Sequence, residues 1–135
     1  MKPATLVWST ALILLVAYVL WLSTQVREER RKVDRMVSVL KTPVEILCHT
    51  GVGPIRHVNW MRLQAPPATD AETTAIVECA SGLPHLYAII IVDQRDEERV
   101  ERLRGLLPSG VTIGASFHTT GRARWERIES FGGGR

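Results

Sequence analysis

Several groups of side chains in this chain have types that could do chemistry. Cys48-His49 and Cys79 with His85 combine thiols and imidazoles, which ligate zinc or form a nucleophilic pair. Structural zinc sites space their ligands as C-x2–4-C or H-x3–5-H, and neither spacing occurs here. Neighbours on a strand point to opposite faces, so Cys48 and His49 would reach a common ion only across a bulge. A thiol nucleophile needs partial exposure and a positive neighbour, whereas Cys48 and Cys79 share faces with apolar Ile46 and Val77, which argues for burial.

His49-Thr50-Gly51-Val52-Gly53-Pro54 holds a Gly-x-Gly without the third glycine and the following helix of a dinucleotide site, and the chain has no Walker lysine. The glycine pair fits a turn. Asp93, Asp96, Glu97, Glu98 and Glu101 form an acidic cluster, but Arg95, Arg99, Arg102 and Arg104 interleave at helical spacing. That pattern predicts a salt-bridged, solvated helix face instead of a cation site. Arg122, Arg124 and Arg127 around Trp125 make a small basic-aromatic patch, diluted by Glu126 and Glu129. No catalytic residue, cofactor site or metal site follows from these patterns.

The strongest signal is physical, not chemical. Residues 3–26 carry no charged side chain, and from Leu6 to Leu22 only Ser9 and Thr10 interrupt an apolar run. As a helix, residues 4–22 extend roughly 28 Å, close to a hydrocarbon core of about 30 Å. Trp8 near one end and Tyr18 with Trp21 near the other match an aromatic belt at both interfaces. A cleaved signal peptide is the rival reading, but residues 18–24 offer bulky groups where a small-x-small site should stand. Lys2 alone precedes the run, while Arg27, Arg30, Arg31, Lys32 and Arg35 follow it. The basic excess predicts an N-terminus outside and a C-terminal domain in the cytoplasm, with Arg27, Arg30, Arg31 and Lys32 at the membrane interface.

The formal net charge of +3 is uneven. Residues 24–41 hold six basic and three acidic side chains, and residues 42–135 hold ten and eleven. The excess sits where anionic headgroups would attract it, not as a stripe on the domain, so nucleic acid is an unlikely partner. Cys48 and Cys79 would be thiols in the cytosol and a candidate disulfide outside it.

Residues 24–41 lack Gly and Pro and extend the membrane helix as a basic juxtamembrane helix ended by Pro43. Val26, Val33 and Leu40 recur every seven, with Met36 between them and Glu29 breaking the register. This stripe is a candidate partner seam, with packing on the chain's own domain as the alternative. Residues 44–48, 57–63, 73–79, 86–92 and 111–117 read as strands, and 49–57 as a loop. Leu86 to Val92 is the run expected to be buried on both faces. Asp93 offers an N-cap for a helix bearing Val100, Leu103 and Leu107, and strand–helix–strand predicts a parallel crossover. Trp125, Ile128 and Phe131 fit a short helix or the end of a hairpin.

The expected chain is thus a short tail (1–3), a transmembrane helix (4–23), the juxtamembrane helix (24–41), an α+β domain (42–131) and a flexible tail (132–135). The domain is a small mixed sheet of about five strands with one or two helices on one face. The expected function is a single-pass membrane-anchored interaction domain, an accessory or scaffold subunit of a membrane-associated assembly, without enzymatic activity or cofactor. Its partners would be the bilayer and other membrane-associated subunits or a second copy. Two alternatives remain: a tethered thiol- or metal-dependent enzyme using Cys48 or Cys79 with a histidine, and a membrane-active effector oligomerising through Thr5-x-x-x-Ser9.

Overall fold

The computed structural model describes residues 2–48, 50–52, 55–115 and 126–128. Helix α1 runs unbroken from Pro3 to Val39. Pro3 occupies the first turn, where an absent N–H leaves no bond unmade. The hydroxyls of Thr5, Ser9, Thr10 and Ser23 donate to the carbonyls of Lys2, Thr5, Leu6 and Val19 one turn back. Each is satisfied within its own helix, as an apolar solvent requires. Pro43 disfavours helical geometry for the residue before it, and α1 is capped at Leu40, whose N–H still reaches the Met36 carbonyl.

Among the described residues, α1 is the one helix long and apolar enough to cross a membrane. From Leu6 to Trp21 its large apolar side chains are 41–76 % exposed. Its lower half behaves differently. Val26, Val33, Met36, Val37 and Leu40 are buried, and the last four join the core of the domain.

That domain continues as β1 (Val44–Leu47), a ribbon of β2 (Thr50–Val52) and β3 (Ile55–His57), β4 (Trp60–Leu63), α2 (Asp70–Ser81), β5 (Ala88–Ile91), α3 (Glu97–Leu106), β6 (Thr112–Ala115) and β7 (Glu126–Ile128). The five-stranded sheet has the order β6-β5-β4-β1-β7. β1 is antiparallel to β4 and β7, while β4, β5 and β6 are parallel, joined by α2 and α3. The register aligns Val44, Leu63 and Ile91 in one row, and Ile46, Met61, Ile89 and Ile113 in the next. This face meets Val33, Met36, Val37 and Leu40 of α1, Ile76, Cys79 and Ala80 of α2, and Val100 and Leu103 of α3. The result is the α+β layer expected, with α1 supplying part of the helical layer. Ile89, Ile90 and Ile91 are all buried, so both faces of β5 are covered. Each such side chain contributes about 1.5–3 kcal/mol of burial.

Residues 73–79 form the middle of α2, not a strand. Thr69 Oγ1 accepts from the Glu72 N–H at 3.2 Å, and Glu72 Oε2 accepts from the Ala68 N–H at 2.7 Å. Thr69-Asp70-Ala71-Glu72 is a capping pattern that satisfies the first helical donors. Thr73, Ile76 and Ala80 then fall on one buried helix face. Their burial outweighs a β-branched helix penalty of less than about 0.7 kcal/mol per residue. Thr50–Val52 and Ile55–His57 form a two-stranded ribbon instead of a loop, pairing Thr50 with His57 and Val52 with Ile55. The α3 N-cap is Asp96, which accepts from the Arg99 N–H, and Asp93 bonds Arg95 instead. Glu126–Ile128 is a strand, and it pairs with β1, not with its sequence neighbour β6. Arg122, Arg124, Trp125, Phe131, His49 and the tail 132–135 lie outside the described residues.

Candidate functional site

Glu29 is the anomaly on the buried stripe of α1. It stands between Val26 and Val33 and is only 4 % exposed. Docking of the β2–β3 ribbon beside α1 supplies what a carboxylate there requires. Glu29 Oε1 lies 2.7 Å from His57 Nδ1, and Oε2 accepts from the Val58 N–H at 3.1 Å. Both oxygens are therefore engaged, one by a side chain and one by the backbone. A buried acceptor without such partners would cost about 1–3 kcal/mol, more for a charge.

The His57 ring packs on His85, with centroids 4.0 Å apart and planes tilted by 35°. His85 is placed by its backbone, because buried Asn59 donates through Nδ2 to the His85 carbonyl at 3.3 Å. Asn59 also receives the Tyr87 N–H on its own carbonyl. This knits the approach to β4 to the approach to β5. Beside the two imidazoles opens a cleft of about 590 Å³. The span end of α1 forms one wall through Tyr18, Val19, Trp21 and Leu22. Ile55, Pro84 and the histidines form the other, with Gln25 and Glu29 at the α1 side.

The residues predicted for the membrane interface fall into two groups. Trp8, Tyr18 and Trp21 are exposed, and Tyr18 stacks on Trp21 at 6.1 Å. Arg27 and Arg31 are exposed, Arg31 paired with Glu28, and Arg30 is half-buried. Lys32 is turned away from a lipid-facing role: its Nζ donates to the Gly82 carbonyl at 2.9 Å, just past α2. A cation suits the negative end of a helix dipole. A Cβ on Gly82 would stand 2.7 Å from Lys32 Cδ, so the glycine leaves room for the lysine.

The predicted partner seam needs correction. Val26, Val33, Met36 and Leu40 are buried within the chain's own fold, between 0 and 8 % exposed. Val33, Met36 and Leu40 join the core with the sheet and α2, and Val26 is covered above them, so this face of α1 is turned into the chain's own fold. Thr5 and Ser9 spend their hydroxyls on their own helix.

Cys48 is half-buried and Cys79 buried, and no disulfide joins the two. Burial in the core pushes the Cys79 thiol up to about 12, partly opposed by Lys32, so it holds no thiolate at neutral pH. Among the described residues, no group of three His, Cys, Asp or Glu side chains could hold a metal ion. The acidic cluster is dispersed into ion pairs: Asp93 with Arg95, Asp96 with Arg99, Glu101 with Arg104. Arg95 beside Asp93 holds that carboxyl down at about 2. Arg102 reaches Asp70 at the start of α2.

Sequence reasoning missed the Glu29–His57–His85 constellation. The one available signal was a carboxylate interrupting an apolar heptad, which marks a buried polar position in need of a partner. No family model, characterised protein or solved structure matches the chain.

Proposed function

We propose that this chain is a single-pass membrane-anchored interaction module, an accessory or scaffold subunit that presents its α+β domain at a fixed height and orientation on the bilayer. One observation supports this reading above the others. The helix able to span the membrane passes without a break into the helical layer of the domain, where Val33, Met36, Val37 and Leu40 are core. No flexible linker separates anchor from domain, so the domain cannot tumble freely. The Glu29–His57 contact adds a second tie just beyond the span. The basic residues after the span favour an N-terminus outside and a domain in the cytoplasm.

With the seam face of α1 consumed, partners would meet the exposed surface of the domain or the lipid-facing surface of the span. Blue-native electrophoresis of gently solubilised membranes tests this. The expected result is a complex larger than the detergent-bound monomer that collapses when residues 4–22 are deleted. A monomer alone at native expression level contradicts it. A reporter fused after Arg135 should be active on the cytoplasmic side, and external activity would reverse the orientation.

A further inference from the structure

The Glu29–His57 cleft has three properties that anchoring does not use. The first is its height. The apolar run ends at Leu22, Gln25 lies one turn further, and Glu29 lies roughly 10 Å beyond Leu22 along the helix. Headgroup layers add about 5–8 Å to each side of the hydrocarbon core, so the cleft crosses that layer. The second is its graded lining. Tyr18, Trp21 and Leu22 form the end nearest the span, and Gln25, His57 and His85 the end nearest the domain. The third is an open hydrogen-bonding position. Glu29 Oε1 engages Nδ1 of His57 at 2.7 Å, which leaves Nε2 as the ring nitrogen that can meet a ligand in the cleft.

From these we infer that the cleft holds one phospholipid of the surrounding leaflet whose headgroup bears hydroxyl groups. The acyl chains lie along Tyr18 to Leu22, a headgroup hydroxyl, which both donates and accepts, bonds His57 Nε2, and the Gln25 amide donates to a phosphate oxygen. Choline headgroups, which carry no hydroxyl, lose this contact with His57. The exposed Arg27 and Arg31 favour an anionic lipid by long-range attraction. Glu29 is a positioning residue here: it holds the His57 ring in place through Nδ1 and does not touch the lipid.

The inference rests on the membrane-anchor reading, and the experiment separates the two. The full chain is reconstituted into phosphatidylcholine vesicles containing either phosphatidylglycerol or phosphatidylmethanol. These share a charge, and only the first has headgroup hydroxyls. Flotation reports insertion. Native mass spectrometry after extraction in mild detergent reports retained lipid. The expected result is flotation with both mixtures, one phosphatidylglycerol retained per chain, and phosphatidylmethanol retained about five- to tenfold less, the loss of one hydrogen bond. Leu22→Trp narrows the span end of the cleft, about two helical turns from Glu29, and should bring phosphatidylglycerol down to the phosphatidylmethanol level. His57→Phe should do the same; it lowers stability by leaving Glu29 Oε1 unpaired, so retention is compared below its melting transition. Equal retention of the two lipids, or retention unchanged in Leu22→Trp, overturns the lipid site and leaves the anchor standing. Failure to float overturns both.

Discussion

The two halves of α1 share one backbone and answer to different solvents. From Leu6 to Trp21 the apolar residues surround the helix and face away from the protein. From Val26 to Leu40 they narrow to a stripe at positions 26, 33, 36, 37 and 40, opposite Arg27, Glu28, Arg31, Asp34 and Arg35. A helix that is apolar all round needs lipid or a protein core around it, and one with a single apolar stripe needs a surface to lie on. The upper half finds no core among the described residues, whereas the lower half finds the sheet. Near the junction of the two halves stands Glu29, buried and with both oxygens bonded.

The comparison breaks most sharply on charge. Val33→Asp places an unpaired carboxylate at a fully buried position, and should destabilise the domain by more than about 4 kcal/mol, enough to abolish its melting transition. Leu14→Asp should leave that transition unchanged while weakening membrane insertion by about 2.5–3.5 kcal/mol, read by alkaline extraction of membranes. If Val33→Asp melts like the wild type, the lower half is not core. Glu29→Ala comes next: it strips partners from His57 and the Val58 N–H, for an expected loss of about 1–3 kcal/mol for each donor left unpaired, read in denaturant titration.

A smaller effect separates core from surface by pH. The Cys79 thiol is raised in the folded state from 9.0 to about 12. The unfolded chain therefore loses this proton first. The associated stability is complete below pH 9.0 and falls as pH rises toward about 12. Urea titrations across that window should show a decline that Cys79→Ala lacks, although Cys79→Ala starts lower because it leaves a small void. An identical slope in both proteins would mean that Cys79 is not buried. The smallest effect belongs to Lys32→Met, which removes a cation from the end of α2 at a cost of about 0.3–1 kcal/mol.

The parts of this architecture that were legible in the sequence depend on local pattern. The length of α1 follows from a stretch without Gly or internal Pro, and the burial of β5 from Ile89-Ile90-Ile91 between turns. Residues 73–79 misled because Thr73, Ala75, Val77 and Cys79 alternate like a strand while Thr73, Ile76 and Ala80 match a helix. Over so few residues the two periods are hard to separate, and the capping pair Thr69 and Glu72 decides between them. The stripe at Val26, Val33, Met36 and Leu40 was visible, but its periodicity cannot say whether a second chain or the chain's own sheet covers it. The Glu29–His57 contact spans 28 positions and exists only because the β2–β3 ribbon docks on α1. No local pattern encodes that approach.

Spin labels placed singly along α1 in lipid vesicles test the change of solvent most directly. Accessibility to oxygen, which partitions into lipid, and to a water-soluble nickel complex would be read at each site. The expected profile is high oxygen access on every side of the helix over residues 6–20. Beyond residue 24 the profile should become periodic, with both reagents excluded at 26, 29, 33, 36, 37 and 40 and nickel access on the opposite face. A periodic minimum continuing upward through 12 and 19, or nickel access along residues 6–20, would contradict a lipid-facing span fused to a core-facing helix.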